Sequence, residues 1–195
     1  MSNKVVVYIT PEVTLDNDLQ FYSGGLGEVA GSIGRSAHSM GKNMIGVSLC
    51  YGQGYYEQGI NKDDGMTVTY RNYPVRKHLH HTGRRCEVMI KGQTVYADIY
   101  ESPRGQFGSM PYYFLDTDID VNNHLGRINT QQLYGGSEKT GRNMDRMISQ
   151  SMVLGVGAVE AARALGFDVE VYHLNESHAV FAPLHLVREL LRSGV

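Results

Sequence analysis

Apolar residues run together near the two ends of the chain and alternate with polar ones in the middle. "VVVYIT" (5–10), "MIGVSLC" (44–50) and "VEVYHLN" (169–175) are short continuous apolar runs with β-branched residues, the pattern of buried parallel strands. Pro11 ends the first run, and "PEVTLDNDLQFYSGG" reads as a loop. A helix is predicted over 27–40, with Gly41 just past its end. Strand, glycine turn, helix and strand make a βαβ unit with a right-handed crossover.

The middle of the chain predicts a different architecture. "MTVTYRNY", "CEVMI", "TVYADIY" and "PYYFLDT" are short and mostly alternating, separated by turn residues, and read as antiparallel pieces inserted at the sheet edge. Residues 116–141 are polar and rich in Asn and Gly, and read as a long functional loop. Helical content resumes over 142–165, with Gly166 as a cap. A last amphipathic helix follows "HLNESH" to Leu191, with Pro183 marking its first turn. The expected fold is α/β: a Rossmann-like parallel sheet core with helices on both faces and an antiparallel insertion over about 62–115, all in one domain spanning 1–195.

Composition narrows the class. The 195 residues are 42% hydrophobic with a formal charge of −2, which excludes a general basic surface for nucleic acid. Cys50 and Cys86 form no CxxC pair and no disulfide framework, so a reducing, cytoplasmic setting is expected. No apolar run nears the roughly 18–20 residues that cross a bilayer, so no membrane partner is expected.

Two segments carry candidate chemistry, and both follow strands. In "YSGGLG" (22–27) three glycines precede a helix start, where free amides attract phosphate or sugar oxygens. Glycine at 24 and 25 would permit positive φ and close backbone approach, and Gly27 close packing. No Gly-Lys-Ser/Thr follows, and the spacing is not GxGxxG. A tight turn needed only for packing is the bland alternative. In "HLNESH", Asn175 and Glu176 can bind hydroxyls, and His178 can bind an anion or move a proton. A capped helix start explains the same residues without function. "KHLHH" (77–81) reads as a solvated loop, and no metal site is expected. "LYGG" (133–136) and the tyrosines of "YGQGYY" (51–56) are weak signals alone.

Taken together, the segments resemble one family. "VYITPEVTLDNDLQFYSGGLGEVAGSIGRSAHSMG", "IGVSLCYGQGYYEQGI", "YYFLDTDID", "LYGG", "QSMVLGVGAVEAARALG" and "VYHLNESHAVFAPLHLVREL" follow in order the pattern of α-glucan (glycogen/maltodextrin) phosphorylases, in the N-terminal part of their GT-B catalytic core. The middle, about 62–109, matches poorly.

The resemblance implies two Rossmann-like domains across a cleft. It implies transfer of a terminal glucosyl unit from an α-1,4-glucan to phosphate, with retention, giving glucose 1-phosphate. It implies pyridoxal phosphate in the complete enzyme, with none bound by this chain alone. Gly24, Gly25, Leu26 and Gly27 would face the transferred glucose and phosphate. Asn175, Glu176, His178, Tyr134 and Asp116 would line the glucan cleft, and no residue is assigned a catalytic role. The partners implied are α-glucan, phosphate and a C-terminal GT-B domain or partner subunit, with room for a homo-oligomer.

Several positions depart from the family pattern: Ser32-Ile33 for Asp-His, Ser177 for Gly, Ser137 for Asp and Ser151 for Glu. The chain stops at Val195, before the half expected to hold the cofactor, so it is expected to be inactive by itself. Two alternatives stand beside this one. A nucleotide-sugar GT-B transferase of glycogen-synthase type would usually carry Lys where Ser23 stands. A non-catalytic glucan- or partner-binding paralogue would account for the serine replacements.

Overall fold

A computed structural model of the chain describes residues 4–16, 19–63, 65–134 and 144–194. In chain order the elements are β1 (Val5–Ile9), β2 (Val13–Asp16), β3 (Leu19–Phe21), α1 (Gly25–Ser39), β4 (Met44–Leu49), β5 (Gln53–Asn61) and β6 (Gly65–Asn72). Then come β7 (His80–Ile90), β8 (Gln93–Glu101), β9 (Tyr112–Asp116), α2 (His124–Arg127), α3 (Met144–Ala164), β10 (Val169–Leu174) and α4 (Phe181–Ser193). No described helix is long and apolar enough to cross a membrane.

Six strands form the main sheet in the order β10-β1-β4-β9-β8-β7. The first four are mutually parallel, and β8 and β7 continue the sheet antiparallel. Alternation along β9 shows how the helices divide between the faces. Tyr112 donates its hydroxyl to the Ala30 carbonyl of α1 at 2.9 Å, and Phe114 stacks on Phe21 with centroids 4.4 Å apart. Leu115 points the other way, against Gly157 of α3. Helices therefore cover both faces of the parallel core, as α/β folds require.

Several glycines are fixed by this packing. A Cβ on Gly46 would lie 2.2 Å from the Tyr112 ring, and one on Gly155 would lie 2.7 Å from the Ala182 backbone nitrogen, where α4 crosses α3. Arg163 of α3 adds two bonds to Glu189 of α4, at 2.8 and 2.6 Å, while His185 lies 2.6 Å from Glu160. Gly41 and Gly166 sit past the ends of α1 and α3 with φ of +61 and +78, as their spacing predicted.

The structure corrects four expectations. The segment after Pro11 is a small antiparallel hairpin, β2 with β3, because Val13, Leu15, Leu19 and Phe21 alternate into the core. The "PYYFLDT" strand is no edge piece: β9 is buried throughout, parallel to β4 on one side and antiparallel to β8 on the other. β10 is an edge strand with Val171 and Leu174 exposed, not a buried one. β5 and β6 pair with each other outside the main sheet, and Gln53 of β5 adds a parallel bridge to Gln132. In the 116–141 stretch the described part holds α2 and a 3-10 turn over Ile128–Thr130, while 135–143 lie outside the described residues.

Two predictions follow from this packing. Gly46→Ala should cost about 1–3 kcal/mol through overpacking against Tyr112, read by chemical denaturation. The Glu189 carboxyl is held below its ordinary value of 4.5, first by hydrogen bonds from Arg163. A depressed folded value means that its stabilisation is full above pH 4.5 and is lost as pH falls below it. The Tm gap between the wild type and Glu189→Gln should therefore be present at neutral pH and close in acid.

Candidate functional site

The order of the parallel strands defines the site. The chain runs β1, β4, β9 in one direction and then returns to place β10 on the other side of β1. Between β1 and β10 the strand order reverses, and open α/β sheets bind ligands outside the carboxyl ends of such a pair. The glycine loop follows β1 through the β2–β3 hairpin, and "NESH" follows β10 directly. Both segments picked out from the sequence therefore meet at one crevice. The Asn175 amide nitrogen donates to the Ile9 carbonyl at 2.9 Å, and its side-chain amide donates to Thr10 Oγ1 at 3.1 Å.

Glu12, to which the sequence reading assigned no role, organises the loop. Its side chain is nearly inaccessible at 2% exposure. One carboxylate oxygen accepts from the Ser23 amide at 2.8 Å and the Gly24 amide at 3.4 Å; the other accepts from Ser23 Oγ at 2.8 Å and from the Tyr134 hydroxyl. A buried carboxylate demands such donors, so the carboxylate fixes both the loop and Tyr134. Burial and then the Glu12 contact push the Tyr134 phenol well above its usual range, keeping it a donor.

The three loop glycines divide by function. A Cβ at Gly27 would meet Tyr22 Cβ at 2.3 Å, so packing alone demands glycine there. Among the described residues a Cβ at Gly24 or Gly25 would meet nothing within 4 Å. Nor does backbone conformation demand them: Gly24 is extended at φ −174, and Gly25 is the first residue of α1. The positive φ expected at these two positions is not used. Among the described residues no side chain caps the helix start; the Gly27 and Glu28 amides turn back to the Gly24 carbonyl at 3.1 and 3.4 Å, and the Gly25 and Leu26 amides precede them.

The remaining sequence-predicted residues fall in two places. Glu176 is held at φ 66 and ψ 172, a region that only glycine occupies comfortably, directly after β10. The His178 ring lies 5.4 Å from the Tyr134 ring, and its buried Nδ1 has no hydrogen-bond partner among the described residues. Tyr134 itself has φ 55. These three stand with the glycine loop. Asp116 does not. It is buried at the end of β9 and consumed by Arg76 Nε at 2.5 Å, the Asp118 amide at 2.9 Å and Thr130 Oγ1 at 3.2 Å. Gly135 and Gly136 lie outside the described residues.

The crevice is open rather than enclosed. A gap of about 10 Å³ between Tyr51, Tyr134 and His178 has room for about one water and none for a sugar. Larger cavities of about 510 and 350 Å³ lie elsewhere, beside Lys77–His80 and beside Leu125–Asn129. Among the described residues one group, Glu160, His185 and Glu189, is close enough to share a metal, but Arg163 already neutralises its carboxylates.

The profile of the starch synthase catalytic domain matches residues 6–193, and the chain belongs to that family. The maltodextrin phosphorylase of Thermococcus litoralis is 32% identical over 97% of this chain, which covers 23% of that protein. The glycogen phosphorylase of Aquifex aeolicus is 32% identical over 98% of this chain, which covers 28% of that protein. The catalytic domain of starch synthase IV from Arabidopsis thaliana, solved with ADP and acarbose, superposes with a TM-score of 0.61 at 17% identity. That match covers 98% of this chain and 32% of the larger one, and shows a shared GT-B fold. The chain thus spans less than a third of the length of these relatives.

Glu176→Gly offers a direct test of the strain. Relief of the backbone conformation should raise stability by about 1–3 kcal/mol in urea unfolding. A loss of stability instead would mean that the carboxylate itself is a structural tie.

Proposed function

We propose that this chain is the N-terminal, glucan-holding face of an α-glucan phosphorylase-type glycosyltransferase. The full reaction moves a terminal glucosyl unit from an α-1,4-glucan to phosphate and releases glucose 1-phosphate. The carrying observation is the pair Gly24–Gly25, which neither packing nor backbone conformation requires, at an uncapped helix start on the switch point. Among the described residues a Cβ there meets nothing, so a side chain would obstruct what approaches from outside.

In this reading the amides of Gly25 and Leu26 donate to the negative charge that develops on phosphate and glycosidic oxygen, while that of Gly24 stays with Glu12. Asn175 is held by Thr10 with its Oδ1 left to accept from a sugar hydroxyl, and the strained turn aims Glu176 at another. His178, its ring tilted at 40° to that of Tyr134, lies on the same side of the crevice and can bind a hydroxyl or an anion. Gly27 supports the helix start from behind. Asp116 acts at a distance, by ordering Arg76 and the segment from Asp118 to Thr130.

Pyridoxal phosphate does not fit the described residues. It is held through a lysine Schiff base, and every described lysine, from Lys4 to Lys91, is exposed. The reading assigns the cofactor to the part of the longer relatives that this chain does not span. It treats residues 1–195 as one Rossmann-like unit that meets that part across the open crevice. The exposed stripe Leu184, Val187 and Leu191 on α4 and the free edge of β10 supply further apolar surface for it. Buried free thiols at Cys50 and Cys86 accord with a cytoplasmic setting.

The match to the starch synthase catalytic domain favours a second reading, transfer from a nucleotide sugar. One assay separates the two. The natural protein that carries these residues should form glucose 1-phosphate from maltoheptaose and phosphate. Glucose incorporation from ADP-glucose without phosphate would instead support the second reading. Gly25→Val should abolish turnover with Tm changed by no more than a few degrees, since the added side chain meets open space. Unchanged turnover would remove the loop from the mechanism.

A further inference from the structure

The β5–β6 ribbon is the least explained part of the chain. A two-stranded ribbon is marginal on its own, and this one exposes Tyr55, Tyr56 and Tyr70 at 38% each and Ile60 at 94%. Its register puts Tyr56 opposite Tyr70, Gln58 opposite Val68 and Ile60 opposite Met66, so one face carries no charge. The ribbon's ion pair, Arg71 with Glu57 at 2.8 Å, belongs to the other face.

One irregularity links this ribbon to the site. Between Gln53 and Tyr56 the register shifts, with one extra residue on β5. Such a bulge breaks strand alternation and re-aims a side chain. Consecutive residues Tyr55 and Tyr56, which would otherwise face apart, have rings 4.3 Å apart. Tyr55 then meets Tyr134 edge-on at 6.1 Å, and Tyr134 meets His178 at 5.4 Å. A row of rings therefore runs without a gap from the switch point onto the uncharged face of the ribbon.

We propose that Tyr134, Tyr55 and Tyr56 form a stacking track for the α-1,4-glucan chain beyond the glucose held at the switch point. The inference rests on the phosphorylase-type reading of that site and extends it outward. Pyranose rings present apolar C–H faces bordered by hydroxyls, which half-exposed tyrosines match with ring and hydroxyl together. An uncharged surface suits a neutral ligand and disfavours an ionic one. The dimensions favour a narrow linear occupant over a second copy of the chain. A nine-residue strand is about 30 Å long and the pair about 10 Å wide, so the face offers about 300 Å². A stable dimer buries about 800 Å² on each partner.

Calorimetric titration of the natural protein that carries these residues with maltose and with maltoheptaose tests this. The wild type should bind maltoheptaose more tightly. The double variant Tyr55→Ala/Tyr56→Ala should lose about tenfold in maltoheptaose affinity, equal to about 1.4 kcal/mol, and keep its maltose affinity. The double variant Tyr55→Phe/Tyr56→Phe, which keeps both rings, should stay near the wild type. Unchanged maltoheptaose affinity in the alanine variant would overturn the track while leaving the switch-point reading intact. An equal loss for both sugars would also overturn it, because it would mark a general fold effect. A dimer that the alanine variant dissociates, with glucan binding unchanged, would show that the rings serve self-association. No maltodextrin binding by the wild type would overturn the reading of the site and the track with it.

Discussion

A carboxylate that is almost wholly removed from water is costly unless both oxygens are satisfied. Glu12 meets that demand with the Ser23 amide and hydroxyl, the Gly24 amide and the Tyr134 hydroxyl. These donors come from two distant stretches of the chain, and the carboxylate itself follows β1. The demand of one buried charge therefore fixes the glycine loop, the start of α1 and the tyrosine that leads to His178. Had Glu12 been apolar, the Ser23 and Gly24 amides and the Tyr134 hydroxyl would lose the acceptor that joins them.

Around that anchor the fold separates two uses of glycine. Gly27, Gly46, Gly155 and Gly157 are required because another atom already occupies the space a methyl would take. Gly24 and Gly25 have empty space beside them and ordinary backbone angles. Glycine still costs conformational entropy at such positions, roughly 0.5–1 kcal/mol against alanine. A cost that yields no packing and relieves no strain is consistent with close approach by something outside the chain. The neighbouring strain at Glu176 points the same way, because strained backbone persists where its geometry is used.

Much of this was legible in the sequence, for identifiable reasons. The runs from Val5, Met44 and Val169 are parallel strands, and Gly41 and Gly166 end their helices as spaced. The convergence of the glycine loop with "NESH" followed from both lying after strands. The β2–β3 hairpin was hidden because its two apolar pairs are short and split by a polar turn. The exposure of β10 was hidden because a continuous apolar run cannot reveal which neighbours cover it. Asp116 was expected in the glucan cleft from the family resemblance alone. Only the structure shows Arg76, forty residues earlier, consuming it. The bulge that joins Tyr55 to Tyr56 has no sequence mark beyond Gly54, and the hub role of Glu12 depends on donors eleven and more residues away.

The central claim is that the switch point between β1 and β10 holds the ligand. The most direct measurement is the amide spectrum of the ¹⁵N-labelled chain during titration with maltoheptaose and, separately, with inorganic phosphate. The account predicts saturable shifts at Gly24, Gly25, Leu26 and Asn175, with Gly46 in the packed sheet as a silent reference. Saturable shifts confined to other residues, such as those beside Lys77–His80, would contradict it.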